Sequence, residues 1–79
     1  MDIQNLITMA NQIGAFFQSM PNRQVAKTDI ANHLSKFWEP RMREALIQHL
    51  EKENNVELNP LVKQAILENI GLLQRKKES

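Results

Sequence analysis

Few side chains in this sequence have types suited to chemistry. The two histidines, His33 and His49, stand sixteen positions apart, and the chain has no cysteine. A zinc site needs three or four His, Cys or carboxylate ligands at close spacing, and no such set is completed here. The acids fall on polar positions and do not converge in pairs on an apolar cleft, which leaves no acid–base couple. A phosphate loop needs a run of glycines, and the chain holds two glycines in all. His49 reads as a core-edge histidine, and His33 as a cap or a partner for Asp29 one turn before it. The residues argue for a protein without a catalytic site, a metal centre or a cofactor of its own.

Recognition is better represented. The stretch His33-Leu34-Ser35-Lys36-Phe37-Trp38-Glu39-Pro40-Arg41-Met42-Arg43 holds the one Trp, one of three Phe and two closely spaced Arg. Trp and Arg are enriched among the residues that dominate interface energetics. Trp38 serves either a small core or a partner, and the sequence leaves both open. Arg41 and Arg43 either pair with Glu39 and Glu44 on the surface, worth ~0–1 kcal/mol, or grip partner carboxylates or carbonyls bidentately.

These residues must be positioned by helices. Glu39-Pro40 breaks the chain, since proline lacks an N–H and turns the preceding residue away from helical geometry. One helix therefore ends at Phe37, and the next starts at Pro40 and runs to about Lys52. Upstream, the apolar residues between Ile3 and Met20 spread over about half a helical wheel, predicting a helix over about 2–19. That face is wider than the ~100° stripe of a one-sided surface helix, so it is packed on two sides or docks on another protein. Gly14 on this face predicts a close helix approach. Asn22 is an N-cap for a helix over about 23–37, with a narrow stripe of Ala26, Ile30, Leu34 and Phe37, Trp38 at its edge. Residues 53–58 read as a loop with Leu58 tucked under the fold. Asn59-Pro60 starts a last helix that runs to about Leu73, with Asn69 inside its apolar face in need of a partner. The expected fold is all-α, a small bundle of about four helices joined by short loops, in a single domain over 1–73 with a frayed basic tail over 74–79.

Composition bounds the function. With 79 residues the chain buries roughly 60–65% of its unfolded surface, which makes it marginal alone. A formal net charge of +1 gives no long-range attraction to nucleic acid, and no apolar run is long enough to span a membrane. The start, Met1-Asp2-Ile3-Gln4-Asn5, is unlike a signal peptide, and the absence of cysteine suits a reducing cytoplasm.

Met9-Ala10-Asn11-Gln12-Ile13-Gly14 followed by Phe16-Phe17, and then Phe37-Trp38 before Pro40-Arg41-Met42-Arg43, resembles the delta subunit of bacterial NAD-dependent, molybdenum-containing formate dehydrogenases over roughly residues 3–70. The resemblance implies an accessory subunit. In such enzymes the large alpha subunit holds the molybdenum pterin and iron–sulfur clusters, and beta and gamma subunits carry flavin and further clusters to NAD. The delta subunit brings no cofactor motif, and its family role is assembly, maturation or stability of the complex. The expected partner is the catalytic alpha subunit. The expected contact residues are Phe16, Phe17, Phe37 and Trp38 as apolar anchors, Arg41 and Arg43 for polar specificity, and Asn11, Gln12 and His33 beside them. Two other classes compete: a helical module that pairs with a second copy through the wide first helix, and a helix-turn-helix nucleic-acid binder using Pro40 to Lys52.

Overall fold

The computed structural model describes residues 2–52 and 57–74. Five helices follow in order: α1 (Ile3–Phe17), α2 (Arg23–Phe37), α3 (Pro40–Lys52), α4 (Pro60–Glu68) and α5 (Ile70–Leu73). No strand occurs among the described residues, and the chain is an all-α bundle. The frayed tail expected over 74–79 lies outside the described residues except for Gln74, whose N–H donates to the Ile70 carbonyl at 2.8 Å, and most of the 53–58 loop lies outside them too. At the end of that loop Leu58 is buried, as expected.

Local chemistry explains the helix boundaries. Asp2 caps α1 by accepting from the Gln4 N–H at 3.0 Å, Asn22 caps α2 through Val25 N–H at 3.1 Å, and Asn59 caps α4 through Leu61 N–H at 2.8 Å. Pro60 occupies the first turn of α4, where its missing N–H costs nothing. The helix expected to run unbroken from Pro60 to Leu73 is instead split at Asn69. The Asn69 side-chain Nδ2 donates to the Ala65 carbonyl at 2.8 Å, while its own backbone N–H goes to Ile66. The side chain takes the carbonyl that the backbone would use, so the ladder slips and restarts as α5.

The core is aliphatic apart from Trp38. Ile30, Leu46, Ile47, Ile66, Leu73 and Val62 are its largest fully buried side chains. α2 lies at the centre and touches α1, α3, α4 and α5. Its buried face carries Ala26 and Ala31 beside Ile30 and Leu34, and the small residues let neighbours approach on more than one side. Lys27 of α2 pairs with Glu68 at the end of α4 at 2.9 Å. α1 is packed against α2, α3 and α4, which accounts for much of its wide apolar face.

One face of α1, built from Asn11, Gly14 and Gln18 at helical spacing, receives the start of α4. Asn11 Nδ2 donates to the Glu57 carbonyl at 2.9 Å, and its Oδ1 accepts from Asn59 N–H at 2.7 Å. Asn59 Nδ2 in turn donates to Gln18 Oε1 at 3.1 Å. A Cβ at Gly14 would stand 2.5 Å from Val62 Cγ2 and 2.9 Å from Asn59 Nδ2. The close approach predicted for Gly14 is therefore real, and it is set by the α4 entry. Gly71 is the contrast, with nothing within 4 Å of a Cβ there. Gly14→Ala is expected to lower the unfolding free energy by about 1–3 kcal/mol through overpacking, and Gly71→Ala to raise it by roughly 0.5–1 kcal/mol, both read by urea denaturation.

Candidate functional site

The α2–α3 corner is made in two residues. α2 stops at Phe37, and Trp38 takes an extended conformation at φ −98° and ψ 137°, which swings its side chain off the helical track and into the protein. The wheel placed Phe37 in the stripe and Trp38 at its edge; the structure reverses them. Trp38 is 5% exposed and Phe37 is 71% exposed. A helical wheel holds only while the helix does, and the break before Pro40 comes one residue before Trp38.

Arg43 closes this corner. Its Nη1 donates to the Trp38 carbonyl at 2.7 Å and to the Ser35 carbonyl at 3.2 Å, and its Nε donates to the Leu73 carbonyl at 2.9 Å. One guanidinium thus serves carbonyls at the C-terminal ends of α2 and α5, groups that a helix leaves unsatisfied. This use is internal, whereas the sequence suggested a grip on a partner. Asn11, expected among the contact residues, spends its side-chain amide on its own chain, on the Glu57 carbonyl and the Asn59 N–H. Arg41 is exposed. The two arginines, alike in sequence, hold different stations.

The remaining six expected contact residues come together. An open groove of about 490 Å³ lies between α1 and the end of α2. Met9, Gln12, Ile13, Phe16 and Phe17 form the α1 wall. His33, Phe37 and Trp38 form the opposite wall, with Met42 of α3 at one end. The rings are in register with one another: Phe16 and Phe17 meet edge to face at 5.0 Å, Phe17 and His33 at 6.5 Å, and His33 and Phe37 at 4.8 Å between centroids. His33 is thus placed among rings, where the sequence put it beside Asp29 or at a cap. The three Phe and the one Trp are all the aromatic residues of the chain, and all four line this groove. Met9, Ile13 and Met42 were not expected at the site. The signal for the first two was their i, i+4 relation on the same α1 stripe as Phe16 and Phe17; Met42 needed the corner geometry.

The two sequence motifs are therefore composite. In the first, Asn11 and Gly14 seat α4 while Gln12, Phe16 and Phe17 form the groove. In the second, Arg43 locks the corner while Phe37, Trp38 and Met42 face the groove. Among the described residues no three His, Cys, Asp or Glu side chains group to hold a metal ion, and no helix is long and apolar enough to cross a membrane.

A largely aliphatic core, with Trp38 as its one aromatic member and all four aromatic residues lining one open groove, defines a small all-α protein whose distinctive feature is that groove. The family model described as NADH-dependant formate dehydrogenase delta subunit FdsD matches residues 5–66, and the chain belongs to this family. The match takes in both motifs and agrees with the resemblance they carry. Comparison with curated proteins and with solved structures gives no significant match.

Arg43→Ala is expected to lower the stability of the isolated chain by about 1.5–3 kcal/mol, the usual worth of hydrogen bonds to a charged donor. Arg43→Lys should recover only part of this, since one ammonium cannot reproduce the planar fork. Arg41→Ala should stay within about 0.5 kcal/mol of wild type. Thermal and urea unfolding of the three variants distinguish the two stations.

Proposed function

We propose that the chain is a non-catalytic accessory subunit of NAD-dependent formate dehydrogenase, acting in the cytoplasm, that docks through the α1–α2 groove on the catalytic molybdenum subunit and supports assembly, maturation or stability of the active complex. The observation that carries this reading is the confinement of all four aromatic residues to one open groove. A small chain gains about 1.5–3 kcal/mol by fully burying a Phe side chain. This one leaves Phe16 at 74% and Phe37 at 71% exposure while building its core from Leu, Ile, Val and Ala with Trp38. Large apolar side chains held in water beside a groove are the pattern of an interaction site.

The family supplies the complex, and the groove supplies the contact. A helix-turn-helix would lay Pro40 to Lys52 on nucleic acid, and Arg43 of that helix is spent on carbonyls of its own chain. Self-association is the second class and uses the same surface: in the absence of its partner, an exposed Phe16–Phe37 face pairs with a second copy.

The test is co-purification of tagged chain from cells expressing the formate dehydrogenase subunits. Wild type is expected to recover the catalytic subunit. Phe16→Ala with Phe37→Ala is expected to reduce recovery by at least about 10-fold, as hot-spot truncation does. The double variant should keep the unfolding free energy of the isolated chain within about 1 kcal/mol, because both rings are mostly exposed. Full recovery by the variant would sink the groove as the docking site.

A further inference from the structure

Resting on the docking reading, we propose that the groove takes its partner only while His33 is uncharged, so that acidification switches docking off. His33 is the one titratable side chain in the lining. It is half-buried on the α2 wall, with the Phe37 ring at 4.8 Å and the Phe17 ring at 6.5 Å between centroids. Among the described residues it makes these ring contacts and no hydrogen bond or ion pair. In the open groove, water solvates either charge state of the imidazole. A partner face that covers Phe16 and Phe37 also covers this ring and removes that water. Taking a cation out of water costs much more than taking out a neutral ring, unless a counter-charge replaces the water. The ring contacts exist before docking and after it, so the loss of water is what docking changes.

No counter-charge is placed to offset that loss. α1 brings none, because from Ile3 to Asn22 the chain has no Asp, Glu, Lys or Arg. On α2 itself, Asp29 lies one turn before His33 and Lys36 one turn after, with opposite signs. Half-buried Asp29 makes no ion pair with His33; the ion pair found among the described residues joins Lys27 and Glu68. Past the corner, Glu39 and Glu44 balance Arg41 and Arg43, and Arg43 donates to carbonyls of its own chain. α4 and α5 supply no residue to the groove, and Gln12 on the α1 wall adds an uncharged amide. These surroundings favour neither sign, and the partner face that fits is apolar and uncharged opposite His33. Histidine is the side chain whose charge changes between about pH 5 and 8. Docking that accepts only the neutral form is therefore strongest toward the upper end of that range and weakens as the pH falls through it.

The experiment measures binding of the full chain to the immobilised catalytic subunit by biolayer interferometry, from about pH 7.5 down to about pH 5.5, for wild type, His33→Phe and His33→Gln. Phe keeps a ring beside Phe17 and Phe37, Gln keeps a polar side chain, and neither titrates. Dividing the wild-type affinity by each variant's at the same pH removes titration of the subunit itself. That ratio is expected to fall about 10-fold over the range, alike for both variants. Circular dichroism at each pH checks the fold of all three chains, and if one variant unfolds the other still supplies the ratio. A ratio that stays flat overturns the proposal and leaves docking standing. A ratio that rises on acidification means that an acid of the partner meets the imidazolium, which also overturns it. If wild type binds at no pH, the docking reading falls and the proposal with it.

Discussion

The turn from α2 to α3 takes only two residues, and the guanidinium of Arg43 holds it closed. Three carbonyls, those of Ser35, Trp38 and Leu73, point at one planar cation. Each belongs to a helix end or lies just past one, where the backbone has no partner of its own. With the corner fixed, Trp38 is carried inward, Phe37 is left outside, and α5 is tied to the same point. The groove follows from this arrangement, since its second wall is the end of α2 together with the indole that the turn delivers. A charged donor to carbonyls is stronger than a neutral one, which suits a corner that must hold position in a protein of marginal size.

A second junction, at the entry to α4, is built from smaller parts. Asn11 mimics a strand neighbour, donating to one backbone carbonyl and accepting from one backbone N–H two residues on. Gly14 removes the Cβ that would otherwise collide with Val62. Together they allow α1 to be packed on one side by α4 and still present Phe16 and Phe17 on the other. α1 is thus the shared element of core and groove. Its wide apolar face is explained by neither role alone, because Leu6, Ile7 and Ala10 are buried within the fold while Phe16 stands in solvent.

Membership of the formate dehydrogenase delta subunit family gives this division of labour a setting. Leu, Ile, Val and Ala with Trp38 build the core, whereas Phe16 and Phe37 stand exposed at the groove and contribute little to the fold. The two motifs that mark the family mix both kinds of residue, so motif membership alone does not say which positions meet a partner.

The helices and their caps were legible in the sequence because they rest on local rules: Asn before a helical pattern, proline in a first turn, apolar residues at 3.6-residue spacing. Both ends of α2 and the start of α3 followed from Asn22 and Pro40. Phe16, Phe17, His33, Phe37 and Trp38 were candidates through the two motifs and the family resemblance they carry, and the groove brings them together. What the sequence could not resolve were choices between equivalent groups. Asn69 had a side chain able to compete for a helical carbonyl, but only the packed end of α4 shows it doing so. Phe37 and Trp38 are adjacent and both apolar, and the backbone torsion at the corner decided which one went inward. Arg41 and Arg43 are identical in type, and only Arg43 stands where three orphan carbonyls converge. Local propensity determines where elements begin and end; which side chain fills a given station depends on the directions in space that other segments take, and only the tertiary structure sets those.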